Sequence, residues 1–211
     1  MLSVNCDHVR ERARHGGFTL IEVLVTFVIL AVGVLGIVSL LSVSKTSEYE
    51  AVQRARAVTM ADGMLERIRN NPGGLAAYVT GLDASDAIGG GSQGADEPEA
   101  NCADVACDPD ELALHDLWSW EQVLDGTGVT VGTSTATAGL AGPKGCITFV
   151  ARPPWERSGQ LSVLLQWRGL QESTDGVAAG DDVCGDGEDA GSDGYRRQVT
   201  VSTFVIDGTE L

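Results

Sequence analysis

Glu22 is the one ionisable residue between Phe18 and Lys45, in a run that is otherwise apolar or uncharged. A carboxylate held in hydrocarbon costs at least ~2.5–3.5 kcal/mol even on the lenient insertion scale, so its presence there implies a partner. The fitting partner is a free amine on a neighbouring chain, and cleavage of the chain before Phe18 would create one. The remaining reactive groups are sparse. Of the three histidines, His8 and His15 lie in the first 17 residues, so a Ser-His-Asp or Cys-His enzyme would depend on His115 as its base. Leu114 and Leu117 flank that histidine and suit a packing helix better than a catalytic cleft. No phosphate-cradling Gly-Lys-Ser/Thr motif is present, and the expectation is a protein that is not an enzyme.

The cysteines and the acids offer two further kinds of site. Cys6 falls in the first 17 residues, leaving Cys102, Cys107, Cys146 and Cys184. Four cysteines allow three pairings, between which sequence does not choose. A local clasp of Cys102 with Cys107 and a staple of Cys146 with Cys184 is the arrangement expected, in an oxidising compartment. Zinc is disfavoured, because no second thiol pair or histidine cluster accompanies Cys102 and Cys107. Between 173 and 194, Asp181, Asp182, Asp186, Glu188, Asp189 and Asp193 crowd among glycines. Such carboxylates are hard oxygen ligands suited to calcium, but the EF-hand spacing is absent and a solvated loop is the expectation. No cofactor is expected otherwise.

The element that must hold Glu22 is a helix. Residues 18–43 number 26, which at 1.5 Å each make roughly 39 Å, against a hydrocarbon core of about 30 Å. In front of it stand Arg10, Arg12 and Arg14 against Asp7 and Glu11, a basic bias that predicts a cytoplasmic N-terminus and a polar portion outside the cytoplasmic membrane. Gly33 and Gly36 interrupt the apolar run, each at a cost of about 1 kcal/mol relative to alanine. Beyond Lys45 the residues turn polar while helix formers continue. Glu50 and Arg54 stand at i,i+4, and Ala57, Ala61, Met64 and Ile68 share one face that Met60 and Leu65 widen. Arg67, Arg69 and the stop Asn70-Asn71-Pro72-Gly73-Gly74 predict a helix end near residue 70.

Residues 73–109 are rich in Gly, Ala, Asp and Ser around Gly89-Gly90-Gly91 and read as a long surface loop. A short amphipathic helix is predicted over 110–124, with Leu114, Leu117, Trp118 and Leu124 near one face; Trp118 and Trp120 cannot share a face. β-Branched and aromatic runs predict strands at 128–131, 146–150, 161–167 and 198–205, with Pro153-Pro154 separating the second from the third. The architecture expected is α+β, a long helix whose N-terminal half is membrane-spanning and whose second half backs a mostly antiparallel sheet in a roll. The division is residues 1–17, 18–44, 45–71 and 72–211.

The whole chain of 211 residues carries 14 Lys and Arg against 30 Asp and Glu; losing residues 1–17 removes three of the former and two of the latter, and the formal charge becomes −17. So acidic a surface repels phosphate backbones, and no nucleic-acid partner is expected.

The six residues Gly17-Phe18-Thr19-Leu20-Ile21-Glu22 before an apolar helix resemble the class III signal of type IV prepilins and type II secretion pseudopilins. The resemblance implies cleavage between Gly17 and Phe18 by a prepilin peptidase, N-methylation of Phe18, and a subunit-docking role for Glu22. It also implies a type IV pilin-like roll and loss of helical order near Gly33 and Gly36 in filaments. A narrower resemblance, to PilV-type minor pilins, lies in Ala31-Val32-Gly33-Val34-Leu35-Gly36, in the run from Met60 through Glu66-Arg67-Ile68-Arg69 to Asn71, and in Asp116-Leu117 followed by Trp120. It implies a low-copy subunit that helps prime or cap a type IV pilus, supporting adhesion and twitching motility, with other minor pilins and the major pilin as partners and residues 18–44 as the membrane contact. The alternatives are a minor pseudopilin of type II secretion and a tip adhesin or ligand-binding subunit.

Overall fold

The computed structural model describes residues 17–94, 96–99, 101–102, 104–129, 139–172, 182–186 and 193–210. Residues 1–16, the expected strand at 130–131 and most of the acidic stretch 173–194 lie outside them. Helix α1 (Leu20–Asn70) is followed by a single turn, α2 (Leu75–Tyr78), then α3 (Pro109–Asp125) and strands β1 (Lys144–Ala151), β2 (Gly159–Arg168) and β3 (Arg196–Val205). The chain divides into two units between Lys45 and Thr46. In the first, every described side chain is exposed, and the α-helix runs unbroken through Gly33 and Gly36.

The second unit is α+β. Its part of α1 buries Gln53, Ala57, Ala61, Met64, Leu65 and Ile68 against a three-stranded antiparallel sheet of order β1-β2-β3. Strand periodicity aims Leu161, Val163, Leu165 and Trp167 of β2 at that helix, and all four are buried with Ile147 of β1. Across the sheet the register runs Val150, Gln160, Phe204 in one row and Cys146, Leu164, Thr200 in another. On this opposite face a smaller cluster of Ala87, Leu164 and the Cys146–Cys184 disulfide is buried; a second disulfide joins Cys102 to Cys107. The connection from β1 to β2 contains a cis Pro153–Pro154 bond.

Three expectations are corrected. The first concerns 128–131: its described residues are not strand, because Gly126, at φ +71°, caps α3 and the N–H groups of Gly126, Thr127 and Val129 turn back onto Val123, Gln122 and Gly126. In α3, secondly, the inward face is Ala113, Leu117, Trp120, Glu121 and Leu124, whereas Leu114 is 51% exposed and Trp118 half-buried. Trp120 wins the core position because its indole N–H finds a backbone acceptor, the Met60 carbonyl, at 3.1 Å. Thirdly, 73–109 is not only surface loop. Leu75, Tyr78, Ala87 and Ile88 are buried, Ile88 exchanges both backbone bonds with Gly145 of β1, and Thr80 and Gly81 donate to the Ile147 carbonyl.

Ile88 is held there by two acids of α3. Glu121 is fully buried; its Oε1 accepts from the Gly89 N–H (3.0 Å), the Ser92 N–H (2.6 Å) and the Ser92 hydroxyl (2.7 Å), and its Oε2 from the Gln93 N–H (2.8 Å). One turn on, Asp125 accepts from the Gly90 N–H. The glycines are required: Gly89 has φ +132° and a Cβ there would meet the Pro143 carbonyl oxygen at 2.3 Å.

Polar ties also join α1 to the rest of this unit. Glu50 pairs with Arg197 of β3 at 3.3 Å, whose guanidinium also donates to the Gly194, Arg196 and Gln171 carbonyls. The i,i+4 neighbour Arg54 does not take Glu50, because Arg197 is mostly buried and needs the charge more. Glu50→Gln is expected to lower unfolding stability by about 1 kcal/mol, the scale of one charge-assisted bond, and Arg54→Gln to leave it unchanged; equal effects in chemical denaturation would refute the pairing.

Near the C-terminus, the Glu210 carboxylate accepts from the Ser158 hydroxyl and from the Glu156 and Arg157 N–H groups, while Asp207 accepts from the Thr209 N–H and hydroxyl and faces Arg157. The Thr209 backbone and side-chain bonds hold Asp207 below the ordinary carboxylate range, and the Ser158 hydroxyl chiefly does the same for Glu210. Because folding depresses both, their stabilisation is complete above the ordinary carboxylate range and is lost as pH falls through the folded values. The melting temperature should therefore drop as pH falls below about 4, and less steeply in the Asp207→Asn, Glu210→Gln double variant; parallel curves would show that these groups are not responsible.

Candidate assembly site

Thr19 precedes the first turn of α1, and its hydroxyl and carbonyl both accept from the Glu22 N–H, at 3.3 and 3.1 Å. Thr19-Leu20-Ile21-Glu22 has the spacing of a capping box, a helix-start signal legible in sequence that the apolar-run reading passed over. The carboxylate of Glu22 has no partner among the described residues and lies exposed one turn from Phe18, itself 82% exposed. An acid there suits the helix dipole, and an amine approaching the same turn would find an unneutralised carboxylate.

Around this pair the surface is apolar. Leu20, Ile21, Leu24, Phe27, Leu30 and Leu35 are each more than half exposed. The helix is long and apolar enough to cross a membrane. Thr26 returns its hydroxyl to the Val23 carbonyl at 2.8 Å, so that polar group is satisfied within the helix, and Glu22 is the only charge between Phe18 and Lys45.

The structure gathers the other sequence-singled residues into supports. Asp116 accepts from Arg67 at 3.2 Å and from the Tyr78 hydroxyl at 2.6 Å, and Asn71 donates to the Tyr78 oxygen and to the Pro109 carbonyl. Burial, reinforced by the Asp116 carboxylate, pushes the Tyr78 phenol above its ordinary range, so it stays a proton donor. Arg67, Ile68, Asn71, Asp116, Leu117 and Trp120 therefore share one task, joining the end of α1 to α2 and α3. Tyr78 was missed by sequence reading, since a lone tyrosine in a glycine-rich stretch carries no periodic signal. His115 contacts Glu97 at 3.2 Å and lies 6.0 Å from the Trp118 ring. Among the described residues no group of three or more His, Cys, Asp and Glu is placed to hold a metal ion.

Two family comparisons bear on this arrangement. Residues 12–38 match the prokaryotic N-terminal methylation motif, and residues 40–118 match the family described as type IV pilin Tt1218. The first match spans Gly17, Phe18 and Glu22; the second spans the polar half of α1, the Tyr78 network and α3 as far as Trp118. Together they support a pilin-like function that includes processing at the N-terminal motif. Comparison with curated proteins and with solved structures finds no match.

Proposed function

We propose that this chain is a minor pilin of a type IV pilus, which primes or caps assembly and so supports adhesion and twitching motility. The observation that carries this reading is the exposed apolar run that begins at Phe18 and enters α1 at Leu20, with Glu22 as its sole charge before Lys45. A prepilin peptidase cuts between Gly17 and Phe18, and Phe18 is N-methylated. Until assembly the subunit crosses the inner membrane once, N-terminus in the cytoplasm and residues 45–211 in the periplasm. During assembly Glu22 takes the amine of an adjacent subunit, and helix burial against the major pilin and other minor pilins holds it in the filament. Two disulfides suit the periplasm. The minor rather than major role rests on the PilV-like residues Arg67, Asn71, Asp116 and Trp120.

The test is the quantity of sheared surface pili in a strain lacking the gene, with and without a restored copy. Loss of pili reversed by that copy is the expected result. Unchanged pili with defective secretion would instead place the chain among type II pseudopilins, and unchanged pili with lost attachment would make it a tip adhesin.

A further inference from the structure

The two edges of the sheet are treated differently. The free side of β1 is covered, since Thr80 and Gly81 donate to Ile147 and Ile88 exchanges two bonds with Gly145, the segment being pinned by Glu121. Among the described residues the free side of β3 has no such cover: no backbone group of residues 198–205 bonds to one of them outside the sheet. Beyond Arg196 and Arg197 at its start, β3 carries none of the usual defences of an exposed edge. From Val199 to Val205 it reads Val-Thr-Val-Ser-Thr-Phe-Val, with no charge, no proline and no glycine.

A second observation concerns the helix-facing side of the same strand. Leu161, Val163 and Leu165 of β2 are fully buried under α1, yet Val199, Val201 and Thr203 of β3 are only half-buried, and Phe204 on the other face is 43% exposed. The core is therefore unfinished along this one edge, in backbone and in side chains.

We propose that the free edge of β3 receives an extended strand from another subunit of the assembly, which continues the sheet beyond β3. The chemistry selects the occupant. Unpaired N–H and C=O groups in a row call for a main chain rather than a small ligand, an uncharged edge calls for no counter-charge, and half-covered Val199 and Val201 call for apolar side chains on the inserted strand's helix-facing side. This rests on the assembly reading above. A second copy of this chain is excluded as an antiparallel β3-to-β3 pair within one filament, since that symmetry would reverse one α1 against the other.

The test uses the full mature chain, expressed from its own locus and followed by immunoblot in sheared filaments. Val201→Pro and Ser202→Pro each remove one N–H; alternation means that one of them points to β2 and the other to the open edge. The open-edge proline should leave melting in detergent micelles within a few degrees of wild type and reduce incorporation at least tenfold. Thr200→Lys and Ser202→Lys, at exposed positions, give the same loss without touching the ladder and keep the test open should both prolines unfold the chain. Hydrogen exchange of residues 198–205 should show alternate amides that exchange fast in micelles and are protected in filaments. Wild-type incorporation of every folded edge variant would overturn the proposal while leaving the assembly reading intact. Absence of the wild-type chain from filaments would overturn both, and concentration-dependent protection of β3 in the isolated chain would assign the edge to self-association instead.

Discussion

Glu22→Ala is expected to be cleaved normally between Gly17 and Phe18, to accumulate in the inner membrane, and to fall at least tenfold in sheared filaments. Cleavage survives because the scissile bond lies five residues upstream and the Thr19 hydroxyl still caps the Glu22 backbone N–H. Incorporation fails because the carboxylate has no partner among the described residues, so its cost in hydrocarbon is offset by an incoming amine. The incoming amine, left unpaired in hydrocarbon, costs ~2.5–3.5 kcal/mol, which allows a larger decrease than tenfold, itself about 1.4 kcal/mol. Glu22→Asp, which keeps the charge on a shorter stem, should retain part of the incorporation, and Glu22→Gln should resemble alanine. Immunoblots of membrane and filament fractions decide the matter: equal incorporation of Glu22→Ala would remove the docking role.

The largest effect on folding is expected at Glu121. Replacement by Ala removes the acceptor shared by the N–H groups of Gly89, Ser92 and Gln93 and the Ser92 hydroxyl; Gly89 keeps the Ser92 hydroxyl oxygen at 3.2 Å, and Ser92 itself is exposed to water. At about 1–3 kcal/mol for each donor left without an acceptor, and with water able to reach Ser92 and Gln93, the loss should be about 2–4 kcal/mol. Glu121→Gln keeps one acceptor oxygen for the three bonds at Oε1 but sets an amide N–H against that of Gln93, so roughly half the loss is expected on the same scale. The readout that separates this latch from generic core damage is hydrogen exchange at Ile88 and Gly145, whose reciprocal bonds should open in both variants before the β1–β2 ladder does. Denaturation of Glu121→Ala within 1 kcal/mol of wild type would show that the loop is held by something else.

These two acids also show what kinds of information a sequence carries. Glu22 was legible because its surroundings are local: a charge inside an uncharged run is anomalous whatever the tertiary fold. Glu121 looks like an ordinary polar residue of an amphipathic helix, and its burial depends on a loop about thirty residues earlier in the chain whose glycines fold around it. The inward face of α3 was misjudged for a related reason. Leu114 and Trp118 are as apolar as Leu117 and Trp120, and the choice fell to the pair that could also satisfy an indole N–H on Met60.

The periodic elements, then, follow from the chain alone. The apolar run with one acid, the Ala57-Ala61-Met64-Ile68 face, the stop at Asn71-Pro72-Gly73 and the alternation in β3 are short-range patterns of 3.6 and 2 residues, set by backbone geometry. The α+β class follows from their order. Tertiary structure alone decided which of three cysteine pairings forms, that Glu50 takes Arg197 and leaves Arg54, that Tyr78 bridges Asn71 and Asp116, and that one sheet edge is covered while the other is open. Each is a choice among chemically equivalent partners far apart in sequence, and such choices are made by the shared free energy of burying apolar surface while leaving no donor or charge unanswered.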